Sequence, residues 1–196
     1  MKEKQDMKKR NIIRGFLVLV MVVMTGFFIN LEITKADEKN TENYHLIPWD
    51  DGQSGTYWMD GYLYWIDMKK KKISRYSDEE MTKEEVLVEA DKGTCIGECG
   101  LLYDDIIYYV LIDNKTHAGN LYSYNLKSRE SNKLGAAREL QRLEVLVDGK
   151  IYGCGYTKTG NPEVFLYDLK GKKLKQICKN GYFGQIVGKY IAIQTI

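Results

Sequence analysis

The sequence predicts an all-β fold made of repeated four-stranded units, and three observations predict it. Tyrosine, whose ring suits the half-buried surface of a strand, occurs 15 times in 196 residues, against 5 phenylalanines. A turn followed by a strand rich in Ile and Tyr recurs along the chain. These strands are apolar on successive residues, as expected when both faces of a strand are covered.

The clearest copy of the repeated motif is Asp60–Asp67, which reads Asp-Gly-Tyr-Leu-Tyr-Trp-Ile-Asp. Weaker copies lie at Tyr103–Val110 and Val147–Cys154. In each copy an acidic or glycine turn leads into the strand. We expect Tyr64 and Trp65 to pack against neighbouring repeats. The residues that define the motif are Gly61, Tyr64, Trp65, Asp67, Tyr108, Tyr109, Gly149 and Tyr152.

The spacing of the motif predicts a β-propeller-like stack. Gly61, Asp105 and Gly149 are 44 residues apart, and Gly188 follows 39 residues later. Periods of about 40 to 45 residues with four strands each are typical of propeller blades. The predicted repeats are therefore residues 61–104, 105–148 and 149–187, with another beginning at 188, and the fourth strand of each leads to the next motif. Two packed sheets of a β-sandwich are the alternative.

The motif resembles that of a known family. Tyr64-Trp65-Ile66-Asp67 matches three of the four letters of the YWTD motif of low-density-lipoprotein-receptor propellers. Residues 56–196 are similar to a bacterial family of uncharacterised propellers that resemble those domains, although the later motif copies keep only the first Tyr. The resemblance implies a six-bladed type of fold, export, and a binding or scaffolding role. It implies no catalytic residue and no cofactor.

Residues 1–36 are predicted to direct export. Six Lys and Arg residues precede an uncharged run of 17 residues, Gly15–Leu31, and Thr34-Lys35-Ala36 offers small residues for a signal peptidase. Cleavage after Ala36 would release the protein. Because a bilayer span needs about 17 to 25 apolar residues, an uncleaved hydrophobic helix that anchors the domain is the alternative. In both cases the remainder lies outside the cytoplasm.

Residues 37–55 are predicted to be a polar linker, and residues 56–196 a partial propeller with about three blades and one further strand. Propellers usually have about 4 to 8 blades, so the ring is incomplete. The chain could be a truncated relative, a half-ring that pairs with another copy, or a small open stack. The apolar C-terminal strand, Tyr190–Ile196, could mediate self-association through its edge.

Charge and motifs exclude several functions. Residues 37–196 carry 22 Lys and Arg against 24 Asp and Glu, so no global field favours nucleic acid. Nucleophile-elbow and P-loop motifs are absent, which predicts a protein that is not an enzyme. With only two histidines and no close CxxC pair, we expect no metal site and no cofactor.

Three hairpins after the motif strands are predicted to share one rim. Lysines dominate the first of them, and polar residues the other two. The candidate rim contacts for a protein or glycan ligand are Lys69, Lys70, Lys71, Lys72, Asn114, His117, Lys158 and Asn161. Solvated hairpin tips without a ligand are the alternative.

The four cysteines are even in number, as an exported chain allows for disulfides. Cys95 and Cys99 are the nearest pair and could form a local bridge. Cys154 takes the place of Ile66 in the motif strand, which predicts a small buried side chain.

The sequence thus predicts an exported, non-enzymatic binding or interaction module of the bacterial cell surface. The ectodomain of a membrane-anchored sensor or assembly partner is one alternative. A truncated fragment of a longer propeller, without an independent function, is the other. The membrane would be contacted through residues 15–31 if this segment is uncleaved.

Overall fold

A computed structural model describes residues 30–35, 44–47, 58–67, 69, 71–78, 80–157, 159–187 and 190–195. Within these residues, 17 strands form four antiparallel sheets. The prediction of an all-β chain with several four-stranded sheets is confirmed.

Sheets 1 and 3 each place four consecutive strands side by side in chain order. Sheet 1 contains β3 (Trp58–Met59), β4 (Tyr62–Asp67), β5 (Lys72–Tyr76) and β6 (Glu84–Glu89). Sheet 3 contains β12 (Leu140–Val147), β13 (Lys150–Tyr156), β14 (Pro162–Asp168) and β15 (Lys173–Lys179).

Sheets 2 and 4 add a strand from the N-terminal part of the chain. Sheet 2 contains β8 (Gly100–Tyr103), β9 (Ile106–Asp113), β10 (Gly119–Asn125) and β11 (Glu130–Ala136), with β7 (Thr94–Ile96) on β9 and β2 (His45–Ile47) on β8. Sheet 4 contains β16 (Gly181–Val187), β17 (Tyr190–Thr195) and β1 (Asn30–Lys35).

The repeated motif forms a two-residue hairpin in each of sheets 1 to 3. Both central residues of each turn have positive φ, for example 50° at Asp60 and 79° at Gly61, or 48° at Asp104 and 60° at Asp105. This is type I′ geometry, which matches the twist of the flanking strands. The hairpin joins the motif strand to the strand before it, as the pairing of Val147 with Lys150 shows.

The predicted repeats therefore group the strands differently from the sheets. The sequence assigns the strand before each motif to the preceding repeat. In the structure β12 pairs with the motif strand β13 and belongs to the following sheet. A two-residue turn folds a strand directly onto its neighbour, which is why the boundary falls one strand earlier.

The sheets pack face to face in the order 1, 2, 3, 4 around three apolar clusters. Tyr64 and Tyr109 meet between sheets 1 and 2, Tyr108 lies between sheets 2 and 3, and Tyr152 lies on sheet 3 next to sheet 4. Among the described residues the four sheets do not close a ring. Trp65 corrects the expectation, because it is half-buried and belongs to none of these clusters.

The N-terminal boundaries also differ from the prediction. Residues Asn30–Lys35, placed in the export segment, form β1, and three residues of the predicted linker form β2. The rest of the predicted hydrophobic helix, before Asn30, lies outside the described residues. In the part of the chain that the structure covers, no helix is long and apolar enough to cross a bilayer.

All four cysteines are described, and they are thiols in the structure. Cys95 and Cys99 are half-buried on either side of the break between β7 and β8, and their bridge stays a prediction. Cys154 is 5% exposed, as expected for a small core residue. Val164 lies between Cys154 and Cys178 in the register, so two strand spacings, about 9.5 Å, separate their backbones. That distance is too long for a disulfide.

Candidate ligand-binding cleft

Two of the three predicted rim hairpins meet at a cleft of about 1100 Å³ between sheets 2 and 3. The β9–β10 and β13–β14 hairpins form its sides, and the connection from β11 to β12 forms its floor. The lining residues are Thr116, His117, Ala118, Arg138, Glu139, Gln141, Tyr156, Thr157, Gly160 and Glu163.

Glycines let the floor of the cleft approach both sheets. The backbone N–H of Gly119 donates to the carbonyl of Arg138 at 3.1 Å, and that of Ala137 donates to the carbonyl of Gly119 at 3.1 Å. A Cβ on Gly119 would lie 2.2 Å from the carbonyl oxygen of Leu140, and one on Gly155 only 1.4 Å from that of Glu139. The residues at these two positions therefore decide whether the floor can lie between the sheets.

The hairpin tips are shaped by side-chain caps. The Asp113 carboxylate accepts the backbone N–H groups of Lys115 and Thr116 at 2.9 and 2.7 Å. These bonds, the bond from Thr116 first among them, lower the pKa of Asp113 below its usual value. In the other hairpin the hydroxyl of Thr157 accepts the backbone N–H of Asn161 at 3.0 Å. Both tips thus have a fixed shape beside the cleft.

Glu163 is the one charged residue in the described chain that is at least nine-tenths buried, with 9% exposure. One of its oxygens, Oε1, accepts a hydrogen bond from the amide Nε2 of Gln176 at 2.6 Å. Lys179 lies opposite Glu163 in the register, yet the described residues form no ion pair with this carboxylate. Burying a carboxylate without a cation costs several kcal/mol, so its presence in a cleft is a functional signal.

The second carboxylate of the cleft, Glu139, is already engaged. Lys173 donates to its Oε1 at 3.2 Å, and the hydroxyl of Tyr167 donates to its Oε2 at 3.5 Å. Burial, and then the negative charge of Glu139, raise the pKa of Tyr167 above its ordinary value. Glu139 therefore fixes the floor against sheet 3, while Glu163 keeps an oxygen for other donors.

One side of the cleft presents an exposed aromatic ring. Tyr156 is 40% exposed, and its ring lies edge-on to Tyr182 at a centroid distance of 6.5 Å. Burial, followed by the nearby Tyr182, raises the pKa of Tyr156, so its hydroxyl stays protonated at neutral pH. A tyrosine of this kind offers both a stacking surface and a hydrogen-bonding group.

The structure brings only part of the predicted rim to this cleft. His117 lines it, whereas Asn114 and Asn161 are exposed on the two hairpins and are not among its lining residues. Lys71 donates to the carbonyl of Thr94 at 3.0 Å, and Lys72 pairs with Glu84 at 2.5 Å, so both serve the fold. Lys69 is exposed, and Lys70 and Lys158 lie outside the described residues.

A second, smaller cleft of about 570 Å³ lies between sheets 1 and 2, beside two motif turns. Its charged groups are largely committed to one another. Arg75 lies 4.1 Å over the ring of Tyr62 and donates to Glu85 at 2.7 Å, and Lys127 pairs with Asp105. This cleft has no buried charge without a cationic partner, in contrast to the larger one.

Reasoning from the sequence missed Glu163, Glu139, Arg138, Gln141 and Tyr156. One signal was present for Glu163, because it shares the face of Phe165 and Tyr167 in an otherwise apolar strand. Comparison with family models and with curated proteins finds no match to this sequence. The resemblance to YWTD propellers therefore stays a prediction.

Proposed function

We propose that this protein is an exported, non-enzymatic β-propeller-type module that binds a polar ligand in the cleft between sheets 2 and 3. The observation that carries the proposal is the buried Glu163 carboxylate, which has an amide partner and no cation among the described residues. A ligand that donates to Glu163 would supply the missing interaction. Hydrogen bonds to charged groups are worth about 1.5 to 3 kcal/mol.

The other lining residues suit an oligosaccharide or a peptide. Tyr156 offers a ring for stacking, and Gln141, Thr116 and Thr157 offer amide and hydroxyl groups. A cleft of about 1100 Å³ holds a ligand of several sugar units or amino acids. Ligand and protein would meet on rigid hairpins held by the Asp113 and Thr157 caps.

Catalysis is the alternative that the cleft raises, because glycoside hydrolases use two carboxylates. The engagement of Glu139 by Lys173 and Tyr167 argues against it. A carboxylate held by an ammonium group is stabilised in its charged form and is a poor proton donor. Turnover of a panel of glycosides or peptides would contradict the non-enzymatic proposal.

The binding function can be tested with glycan and peptide arrays, followed by calorimetric titration of the retained ligands. The full chain in detergent would be compared with Glu163→Gln, which keeps the shape of the side chain and removes its charge. We expect binding to weaken about 10- to 100-fold. Glu130→Gln is the matched control, since Glu130 is exposed on β11 away from the cleft. Equal binding by both variants, or no retained ligand, would contradict the proposal.

A membrane-anchored ectodomain is the second candidate, and the position of β1 favours it. Asn30–Lys35 pairs along its length with β17. Cleavage after Ala36 would remove β1, so a mature protein that keeps this strand also keeps the preceding segment. Mass spectrometry of the mature N-terminus decides between the two: a start at Asp37 supports secretion, and a start near Met1 supports the anchor.

A further inference from the structure

The outer face of sheet 1, which points away from sheet 2, is unusually aromatic. The register places Trp58, Leu63 and Tyr76 in one row across this face, and Trp65, Ser74 and Val86 in the next. Trp58 and Val86 are 45% and 46% exposed, and Trp65 is half-buried. Two of the three tryptophans of the chain thus lie on one face of the first sheet.

The repeats give this face a direction. The third residue after each motif turn, Tyr64, Tyr108 or Tyr152, lies in the cluster shared with the next sheet. The fourth residue points the opposite way: Tyr109 packs toward sheet 1, and Ile193, its counterpart in sheet 4, packs toward sheet 3. Trp65 holds this fourth position in sheet 1. Its face is therefore built to meet a preceding sheet, and among the described residues none precedes it.

The charged groups on this face are already paired. Glu84 accepts hydrogen bonds from Ser74 at 2.7 Å and from Tyr76 at 2.9 Å, and it pairs with Lys72 at 2.5 Å. A partner that covers the face therefore meets polar groups whose hydrogen bonds are satisfied, which lowers the penalty of removing water. Isolated charges would have opposed such a contact.

We propose that sheet 1 of one molecule docks on sheet 4 of a second copy of this chain. Sheet 4 ends the stack, and Ala192, which holds the position of Tyr64, lies on its face away from sheet 3. Because each copy offers both ends, two such contacts close a ring of eight sheets with twofold symmetry. Eight is within the range of about 4 to 8 sheets that rings of this architecture contain.

The size of the contact agrees with a stable dimer. Four strands about 4.8 Å apart, each about six residues long, give a sheet face of about 400 Å² in projection. The two contacts bring four such faces together, or about 1,600 Å², which is the standard size of a specific interface.

The test uses the full chain in detergent micelles, with sedimentation velocity across a dilution series and acrylamide quenching of tryptophan fluorescence. We expect a dimer at about 10 µM whose tryptophans become more accessible on dilution. Val86→Lys should weaken the dimer about 30-fold or more, because a charge would enter the centre of the contact. Leu174→Lys is the control, since Leu174 is 44% exposed on β15 of sheet 3.

Three outcomes would overturn the proposal. The first is a wild-type monomer at about 50 µM, whether its tryptophans are quenched or protected. Protection in a monomer would mean that the chain covers this face itself. The second is a dimer weakened equally by both lysine variants, and the third is an assembly larger than a dimer. Circular dichroism melts confirm that both variants fold, so a lost dimer is not misread.

Discussion

Trp65 and Tyr109 occupy the same place in two copies of one motif, yet their surroundings differ. Tyr109 is 1% exposed, stacks on Tyr122 at 5.6 Å, and its hydroxyl bonds Ser131 at 3.2 Å. Trp65 is half-buried on the outer face of the first sheet. Position in the repeat fixes the direction of the side chain, and the neighbouring sheet fixes its burial. A large aromatic residue in a repeat therefore marks a contact face before it marks a core.

The third copy of the motif extends this comparison. Gly153 stands where Trp65 and Tyr109 stand in the other sheets, and a Cβ there would lie 2.7 Å from Cδ2 of Leu140. The fully buried Leu140 thus fills the space beside Gly153. Interior contacts can exchange an aromatic ring on one strand for a leucine on the next. The outer face of sheet 1 has no described neighbour that could compensate in this way.

The largest effect is expected where the interior leaves no space. Gly155→Ala places a Cβ 1.4 Å from the carbonyl oxygen of Glu139, and both atoms belong to tightly packed backbone. We expect the free energy of unfolding to fall by about 3 kcal/mol or more, because overpacking forces the backbone to move. Thermal and urea melts measure the loss. Gly160→Ala is the control, since it has open space around its Cβ and only the strain of a positive φ. Equal losses for the two variants would contradict this.

The second effect tests the interior half of the comparison. Tyr109→Ala removes a buried ring between sheets 1 and 2, and it should destabilise the fold by about 3 to 5 kcal/mol. Tyr109→Phe keeps the ring and loses only the bond to Ser131, at a cost of about 0.5 to 1.5 kcal/mol. Urea unfolding followed by tyrosine and tryptophan fluorescence measures both. A larger loss for Tyr109→Phe than for Tyr109→Ala would show that packing is not what Tyr109 supplies.

A smaller effect is expected on the outer face. In the Val86→Lys background, which keeps the chain monomeric under our proposal, Trp65→Ala should destabilise the fold by only about 1 to 2 kcal/mol. The reason is that Trp65 already keeps part of its surface in water. The measurement is a thermal melt beside that of Tyr109→Ala in the same background. A loss as large as that of Tyr109→Ala would break the comparison, since the chain would then cover its own end face.

The smallest effect is a pH dependence on the same face. The bond from Lys72, then that from Ser74, lowers the pKa of Glu84 to about 2. A carboxyl whose pKa is depressed in the folded state adds stability above its unfolded pKa of 4.5, and this stability is lost as the pH falls toward about 2. We expect wild type to melt above Glu84→Gln at pH 7, with a difference that vanishes between pH 4.5 and 2. Glu130→Gln should show no such window. A constant difference across the window would show that the charge of Glu84 is not involved.

The sequence predicts the parts of this fold that depend on local chemistry. Turns such as Asp60-Gly61 carry their own conformational preference, and the apolar strands that follow them need two covered faces, so the strands and their period are readable. The grouping of strands into sheets is less accessible. β12 lies between two motifs in the chain, and only its pairing with β13 assigns it to one sheet.

The cleft was harder to predict, because it depends on distant segments that meet. Glu163 on β14 and Glu139 on the connection are unremarkable in the sequence, and they gain meaning when Gly119 and Gly155 let that connection lie between two sheets. The rim lysines had the opposite fate. Their charge suggested a ligand, whereas Lys71 and Lys72 find partners within the chain.

The pairing of β1 with β17 determines the order in which the molecule can assemble. Asn30 faces Thr195, so the strand that leaves the ribosome early needs a partner that is made among the last residues. Contacts so distant in sequence form late, because a long loop must close before they add any stability. Sheets 1 to 3 can fold from consecutive segments during synthesis or secretion. Sheet 4 completes only when both ends of the chain are present, so loss of either terminal strand leaves the last sheet with a single hairpin.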